Sequence, residues 1–477
     1  MISRHFIDVH NADGSQRRVH YRKAGSGPLL LMVHQSPRSS AEYAELMLRW
    51  AADFTCIAPD TAGFGDSAPL PHENPECEDY ADALIAFLDA LGLNRVAAYG
   101  FHSGAIILVT AARRHASRFS GIACGGYAVW TAAEKADFGA GYTPPFRPLP
   151  YGEHLAWLWG RVLEQSWFFP WYRAEPGSRL AMAHADPQRV QPIIMECLSA
   201  GDNFSKGYAA VLRANRDIPA AGEPTPPVLI AAYDGDPLKA HLARLGTLPV
   251  NWSMRPLATP AELEDASRSF LLQHTAPFAE LAADAADEGF ATVSTSGFTG
   301  QIHWKGSGDL FLHAPGSALT AAPDGMLAID LPGHGLSGIW SGGTDLAHWV
   351  DVVTATLEAL DARPTSVLGQ GWSSTLASAV AARIGAAWVQ TATPSGSLAD
   401  WRAHGLPDLT PDSDGTHLLR AWRAVRAGVL FDPWFAPSAA TALPFQPCDL
   451  APETLATRHL ALMRASAGRQ LLDACLR

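Results

Sequence analysis

Short, largely apolar runs recur along the chain at residues 29–33, 55–58, 96–99, 122–125, 228–232 and 250–254. Each has strand length and is bounded by turn residues, and segments with helical spacing, such as 77–91 and 104–113, separate them. Alternation of continuous apolar strands with amphipathic helices predicts βαβ units around a parallel sheet covered on both faces. The rhythm breaks over residues 127–217, where Trp130, Trp157, Trp159, Trp167, Phe168, Phe169 and Trp171 sit within helical patterning. An insertion of that length predicts a helical lid.

The pattern then starts again. Asp60-Thr61-Ala62-Gly63-Phe64-Gly65-Asp66-Ser67 returns as Asp330-Leu331-Pro332-Gly333-His334-Gly335-Leu336-Ser337. Residues 80–91 match 349–360, and Tyr99-Gly100-Phe101-His102-Ser103 matches Leu368-Gly369-Gln370-Gly371-Trp372. Further on, 152–155 match 415–418 and 169–171 match 432–434. An ordered series of this kind predicts two copies of one domain. The first spans 1–288 with its lid at about 127–217; the second spans 289–477 with a lid-like segment at about 394–477. The second copy ends without a counterpart of residues 227–274, so its sheet is expected to be truncated. A sheet that stops early exposes an edge, which predicts packing against the first copy or a homo-oligomer through the second domain.

Composition narrows the function. Hydrophobic residues make up 48% of the chain and charged residues 17%, enough apolar material for large cores. A formal net charge of −12, with no basic run, argues against a nucleic-acid or anionic-membrane partner. The N-terminus lacks an apolar signal region and no run approaches the ~20 residues of a membrane span, so a cytoplasmic location is expected. The six cysteines form no C-x-x-C pair, no glycine-rich phosphate loop follows a strand, and metal-ligand spacing is missing. The expectation is a protein acting on a small molecule without cofactor or metal.

Three motifs, in order, resemble the α/β-hydrolase superfamily. Val33-His34-Gln35-Ser36-Pro37 resembles the His-Gly-x-Pro loop, and Asp60 to Ser67 the D-x-x-G-x-G-x-S turn. Gly100-Phe101-His102-Ser103-Gly104 resembles the strand-to-helix nucleophile elbow. The resemblance implies an α/β-hydrolase fold with a helical lid, followed by a second, truncated α/β-hydrolase-like copy. The apex of the elbow is strained and needs small neighbours two residues away on each side. With His102 at the apex both are glycine; with Ser103 one would be Phe101. The apex is therefore a histidine, where the superfamily carries Ser, Asp or Cys.

That change recasts the chemistry. Imidazole is partly neutral near pH 7 and acts as base, proton shuttle or nucleophile without a partner to activate it. Tyr233-Asp234-Gly235-Asp236-Pro237 resembles the family's acid turn and makes Asp236 the implied carboxylate. The family's histidine after the last strand is missing, and His274 is expected to be a packed or surface residue. The backbone N–H groups of Gln35 and Ser103 are the implied oxyanion donors. His34, Tyr127, Trp130 and His154 are the candidate substrate-binding residues. The leading expectation is hydrolysis of an ester, lactone or C–C bond in a small, largely apolar carbonyl compound. The alternatives are a non-catalytic pseudo-hydrolase that binds a ligand or partner, and a lyase or hydratase using His102 as general base. The second copy has Gly371 at its apex and is expected to be inactive.

Overall fold

The computed structural model describes residues 1–11, 13–215, 218–220 and 222–477. The chain divides into two compact units, Met1–Arg147 with Gly160–Ala285, and Pro148–Trp159 with Ala286–Arg477. The break thus falls at 285/286, and residues 148–159, expected in the first domain, group with the second unit. The predicted end of the insertion, Asp217, lies outside the described residues. No helix among the described residues is long and apolar enough to cross a membrane.

The N-terminal unit is built on eight strands: β1 (Ser3–His10), β2 (Gln16–Ala24), β3 (Leu29–Val33), β4 (Thr55–Pro59), β5 (Val96–Phe101), β6 (Phe119–Gly125), β7 (Val228–Tyr233) and β8 (Trp252–Leu257). Their order is β1-β2-β4-β3-β5-β6-β7-β8. Pairing is parallel from β4 through β8, while β1 and β2 add an antiparallel hairpin to one side. Every residue of β3, β4 and β6 is buried, because helices cover both faces. The helices along this stretch of chain are α1 (Ala44–Trp50), α2 (Cys77–Ala90), α3 (Ser103–Arg114), α4 (Ala132–Gly141), α5 (Glu153–Glu164, of which residues 153–159 group with the second unit), α6 (Pro187–Ala200), α7 (Asn203–Arg213) and α8 (Pro260–Gln273). Helices α4 to α7 form the insertion between β6 and β7.

The C-terminal unit carries β9 (Glu288–Thr295), β10 (Phe298–Lys305), β11 (Leu310–Leu312), β12 (Leu327–Ile329), β13 (Ser366–Gly369) and β14 (Ala387–Val389). Its order, β14-β13-β11-β12-β10-β9, repeats that of β6-β5-β3-β4-β2-β1. The hydrogen bonds repeat as well. His20 Nδ1 pairs with Asp60 Oδ2 at 2.8 Å, and Asp60 accepts from the N–H groups of Ser40 and Asp66. His303 Nδ1 pairs with Asp330 Oδ2 at 2.7 Å, and Asp330 accepts from those of Leu319 and Leu336. No counterpart of β7 or β8 follows among the described residues, and all three residues of the edge strand β14 are exposed. The remaining helices are α9 (Leu346–Ala359), α10 (Ser373–Ile384), α11 (Leu398–His404), α12 (Thr416–Leu430), α13 (Pro452–Met463) and α14 (Gly468–Cys475).

Residues 148–159 group with the second unit because they meet α12 through a reciprocal set of contacts. The His154 ring lies edge-on to Trp422 at 4.9 Å, and His417 lies edge-on to Trp159 at 5.3 Å. Trp422 Nε1 donates to Pro150 O, and Trp159 Nε1 donates to Ser413 O. These pairs join matching positions of the sequence repeat, so the packing has a local two-fold character. Burial pushes His154 and the neighbouring His459 down to about 4, well below an ordinary imidazole. Folding requires both rings neutral, so their contribution is complete above pH ~6.5 and is lost as pH falls towards 4. Each ring is worth up to about 3 kcal/mol over that window. Melting temperature should therefore drop between pH 6.5 and 5, and drop less in His154→Gln; equal slopes for the two proteins would refute the assignment.

Candidate active site

Strand β5 turns into α3 at His102, whose φ of 48° and ψ of −111° lie outside the regions a side chain prefers. Two glycines make the bend possible. A Cβ on Gly104 would lie 2.0 Å from Val33 O, and one on Gly100 would lie 2.7 Å from Leu108 Cδ1. The bend is anchored by His102 N–H donating to Gly125 O at 2.8 Å. It presents the ring at the carboxyl end of the sheet, stacked on Phe101 with centroids 4.0 Å apart.

The turn after β7 brings Asp236 to this ring. His102 Nε2 lies 3.2 Å from Oδ1 and 3.3 Å from Oδ2. The Asp236 side chain is 0% exposed and the His102 side chain 26% exposed, so the carboxylate is sealed behind an accessible imidazole. Asp236 Oδ1 also accepts from Leu238 N–H at 2.8 Å. With Nε2 committed to the carboxylate, Nδ1 has no hydrogen-bond partner among the described residues. Gly126 leaves room for the pair: a Cβ there would lie 2.3 Å from His102 Cδ2 and 2.8 Å from Asp236 Oδ2, at a φ of +63°. Gly126→Ala should therefore separate imidazole from carboxylate and reduce turnover at least tenfold, with the fold retained by circular dichroism. Unchanged kinetics would show that the pair is not required.

Ser103 opens α3 directly after His102. It is buried, and its Oγ accepts from Ser36 N–H at 2.5 Å. Its own N–H sits in the first turn of α3, among the donors a helix leaves unpaired. The other implied oxyanion donor differs from expectation. Gln35 N–H donates to Glu42 Oε1 at 2.8 Å, and Gln35 Nε2 donates to Oε2 at 3.2 Å. Burial holds the Glu42 carboxyl up at about 7, against the pull of Arg38 and the Gln35 donors. Arg38 also pairs with Glu196, which accepts from Ser39 N–H and Oγ. This half-buried network leaves no mark in the sequence pattern.

His102, Ser103, Gln35 and Arg38 line a cavity of about 370 Å³ roofed by Trp130, Phe138, Tyr142, Phe169 and Tyr208 of the insertion. Trp130 Nε1 is buried there without a hydrogen-bond partner among the described residues. Three other candidates lie elsewhere. His34 is buried and braces two loops, with Nδ1 on Gln35 O and Nε2 accepting from Thr61 N–H. His313 repeats that brace with Ala314 O and Leu331 N–H. Tyr127 is 1% exposed and sits in the core, because the chain turns inwards after β6 before reaching the cavity wall at Ala128 and Trp130. His154 packs on Trp422, as above. His274 caps the end of α8 and lies against Gly121 and Ser120. His20, Asp60 and Asp66 bring three ligand-type atoms within 4.8 Å of one another, but their hydrogen bonds make them a brace, as the second unit repeats.

A family model for the alpha/beta hydrolase fold matches residues 28–241, from β3 through the acid turn. This segment thus carries the α/β-hydrolase fold. Haloalkane dehalogenase 2 of Mycobacterium tuberculosis is 32% identical over 120 residues, 25% of this chain and 42% of that protein. The 2-(acetamidomethylene)succinate hydrolase of Mesorhizobium japonicum is 35% identical over 115 residues, 24% of this chain and 41% of that protein. The chain thus spans about two-fifths of the curated relatives it matches. A Vigna radiata epoxide hydrolase mutant aligns with a TM-score of 0.45 at 15% identity, over 57% of this chain and 99% of that one.

Proposed function

We propose that the N-terminal unit is a hydrolase of small, largely apolar carbonyl compounds, with His102 as general base and Asp236 as its positioning residue. The observation that carries this reading is the contact of His102 Nε2 with the sealed Asp236 carboxylate at the apex of the elbow. A carboxylate on Nε2 selects the tautomer with the proton there and the lone pair on Nδ1. Nδ1 takes a proton from water as the water's oxygen bonds to the substrate carbonyl carbon. The carbonyl electrons move to its oxygen, next to the Ser103 N–H and the positive end of α3. Collapse of that intermediate breaks the bond to the leaving group, which takes the proton back from Nδ1. The aromatic roof suits an apolar substrate. The two relatives above are named for haloalkane and acetamidomethylene-succinate substrates, which supports hydrolysis as the class.

Incubation with short-chain aryl esters and lactones, beside His102→Ala, tests the reading. Turnover in the parent protein that is lost in the variant is the expected result. Equal rates in both would remove hydrolysis, and a trapped acyl-protein mass after rapid quenching would replace the base with a nucleophile.

A further inference from the structure

The C-terminal unit holds a cavity around an elbow whose apex carries no side chain. Gly371 takes the elbow position with a φ of +56°, and a Cβ there would meet only Ala314 Cβ at 3.7 Å and Pro394 Cγ at 3.8 Å, ordinary contact distances. The site is thus open above a bend that carries no side chain. Around it lies a cavity of about 750 Å³, within the roughly 300–1,000 Å³ range of small-molecule sites. Its walls include the indoles of Trp372, Trp401 and Trp434 and the side chains of Leu406 and Leu462. Trp401 Nε1 donates to Ser395 O and Trp434 Nε1 donates to Gly405 O, which fixes both rings. Arg458 of α13 lines the same space, and no carboxylate pairs with it among the described residues.

We propose that this cavity is a non-catalytic binding site for a small aromatic carboxylate. The ring system lies among the tryptophans and the carboxylate pairs with Arg458. A neutral aromatic would forgo the ion pair, and a hydrophilic anion would forgo the indoles, so the two halves of the lining select a molecule that has both. The site does not depend on what His102 does, because none of its lining residues belongs to the N-terminal unit.

Calorimetric titration of the full chain with 2-naphthoate and 2-naphthamide tests this. Arg458→Gln removes the charge from an exposed position, and Gly428→Leu fills the cavity from α12, where an added Cβ meets nothing closer than Trp434 Cβ at 3.8 Å. Naphthoate should bind the parent protein, weaken at least tenfold in Arg458→Gln, and lose binding in Gly428→Leu at an unchanged melting temperature. Naphthamide should bind parent and Arg458→Gln alike, more weakly than naphthoate binds the parent. The proposal falls if naphthoate does not bind, if Arg458→Gln leaves its affinity intact, or if Gly428→Leu still binds it, which would place the ligand in another cavity.

Discussion

His102→Gly should melt at a higher temperature than His102→Ala, while both lose turnover by about 10³-fold, the middle of the range for general-base removal. At an ordinary helical position the order of stability is the reverse, since glycine costs ~0.5–1 kcal/mol relative to alanine. At a φ of 48° and ψ of −111° any residue with a Cβ is strained, by roughly 1–3 kcal/mol, and glycine alone escapes. Both variants also leave the Asp236 carboxylate buried with Leu238 N–H as its remaining described donor, so that loss cancels between them. The difference in melting temperature therefore isolates the strain, and the common loss of turnover isolates the imidazole. Alanine melting above glycine would show that the bend is relaxed, and full activity in either would end the case for His102 as base.

What the sequence reveals here follows from burial. Strands β3 to β7 are legible as largely apolar runs because helices cover both faces and leave room for few polar residues, such as Thr55 and Ser120. The hairpins β1–β2 and β9–β10 are not, because they are half exposed and carry Arg4, Asp8, Arg17 and Arg18 or Thr292 and Gln301 among their apolar residues. The elbow register is legible for a steric reason: glycines at 100 and 104 are required by contacts with Leu108 and Val33. Asp236 is visible only through the turn that carries it. His34, Tyr127 and His154 were singled out by neighbourhood in the chain, and neighbourhood does not say which way a side chain points. The Arg38, Glu42 and Glu196 network left no signal, since its members come from segments far apart and their spacing encodes nothing.

The same logic makes Asp236→Asn the sharper probe of the mechanism. The substitution keeps the shape of the side chain, and the amide oxygen still accepts from Leu238 N–H, so the turn after β7 should hold. Its amide NH₂ would instead donate to His102 Nε2, driving the ring proton to Nδ1, the atom that must be free to take a proton from water. The expected result is a fall in kcat of about 10²–10⁴-fold with KM within threefold, because tautomer and transition-state charge are lost while the aromatic cavity is untouched. The substitution removes a buried charge and keeps the hydrogen bond from Leu238 N–H. The melting temperature should therefore stay within a few degrees of the parent. A variant that keeps its kcat would mean that Asp236 braces the turn and nothing more, and His102 would then have to work without a fixed tautomer.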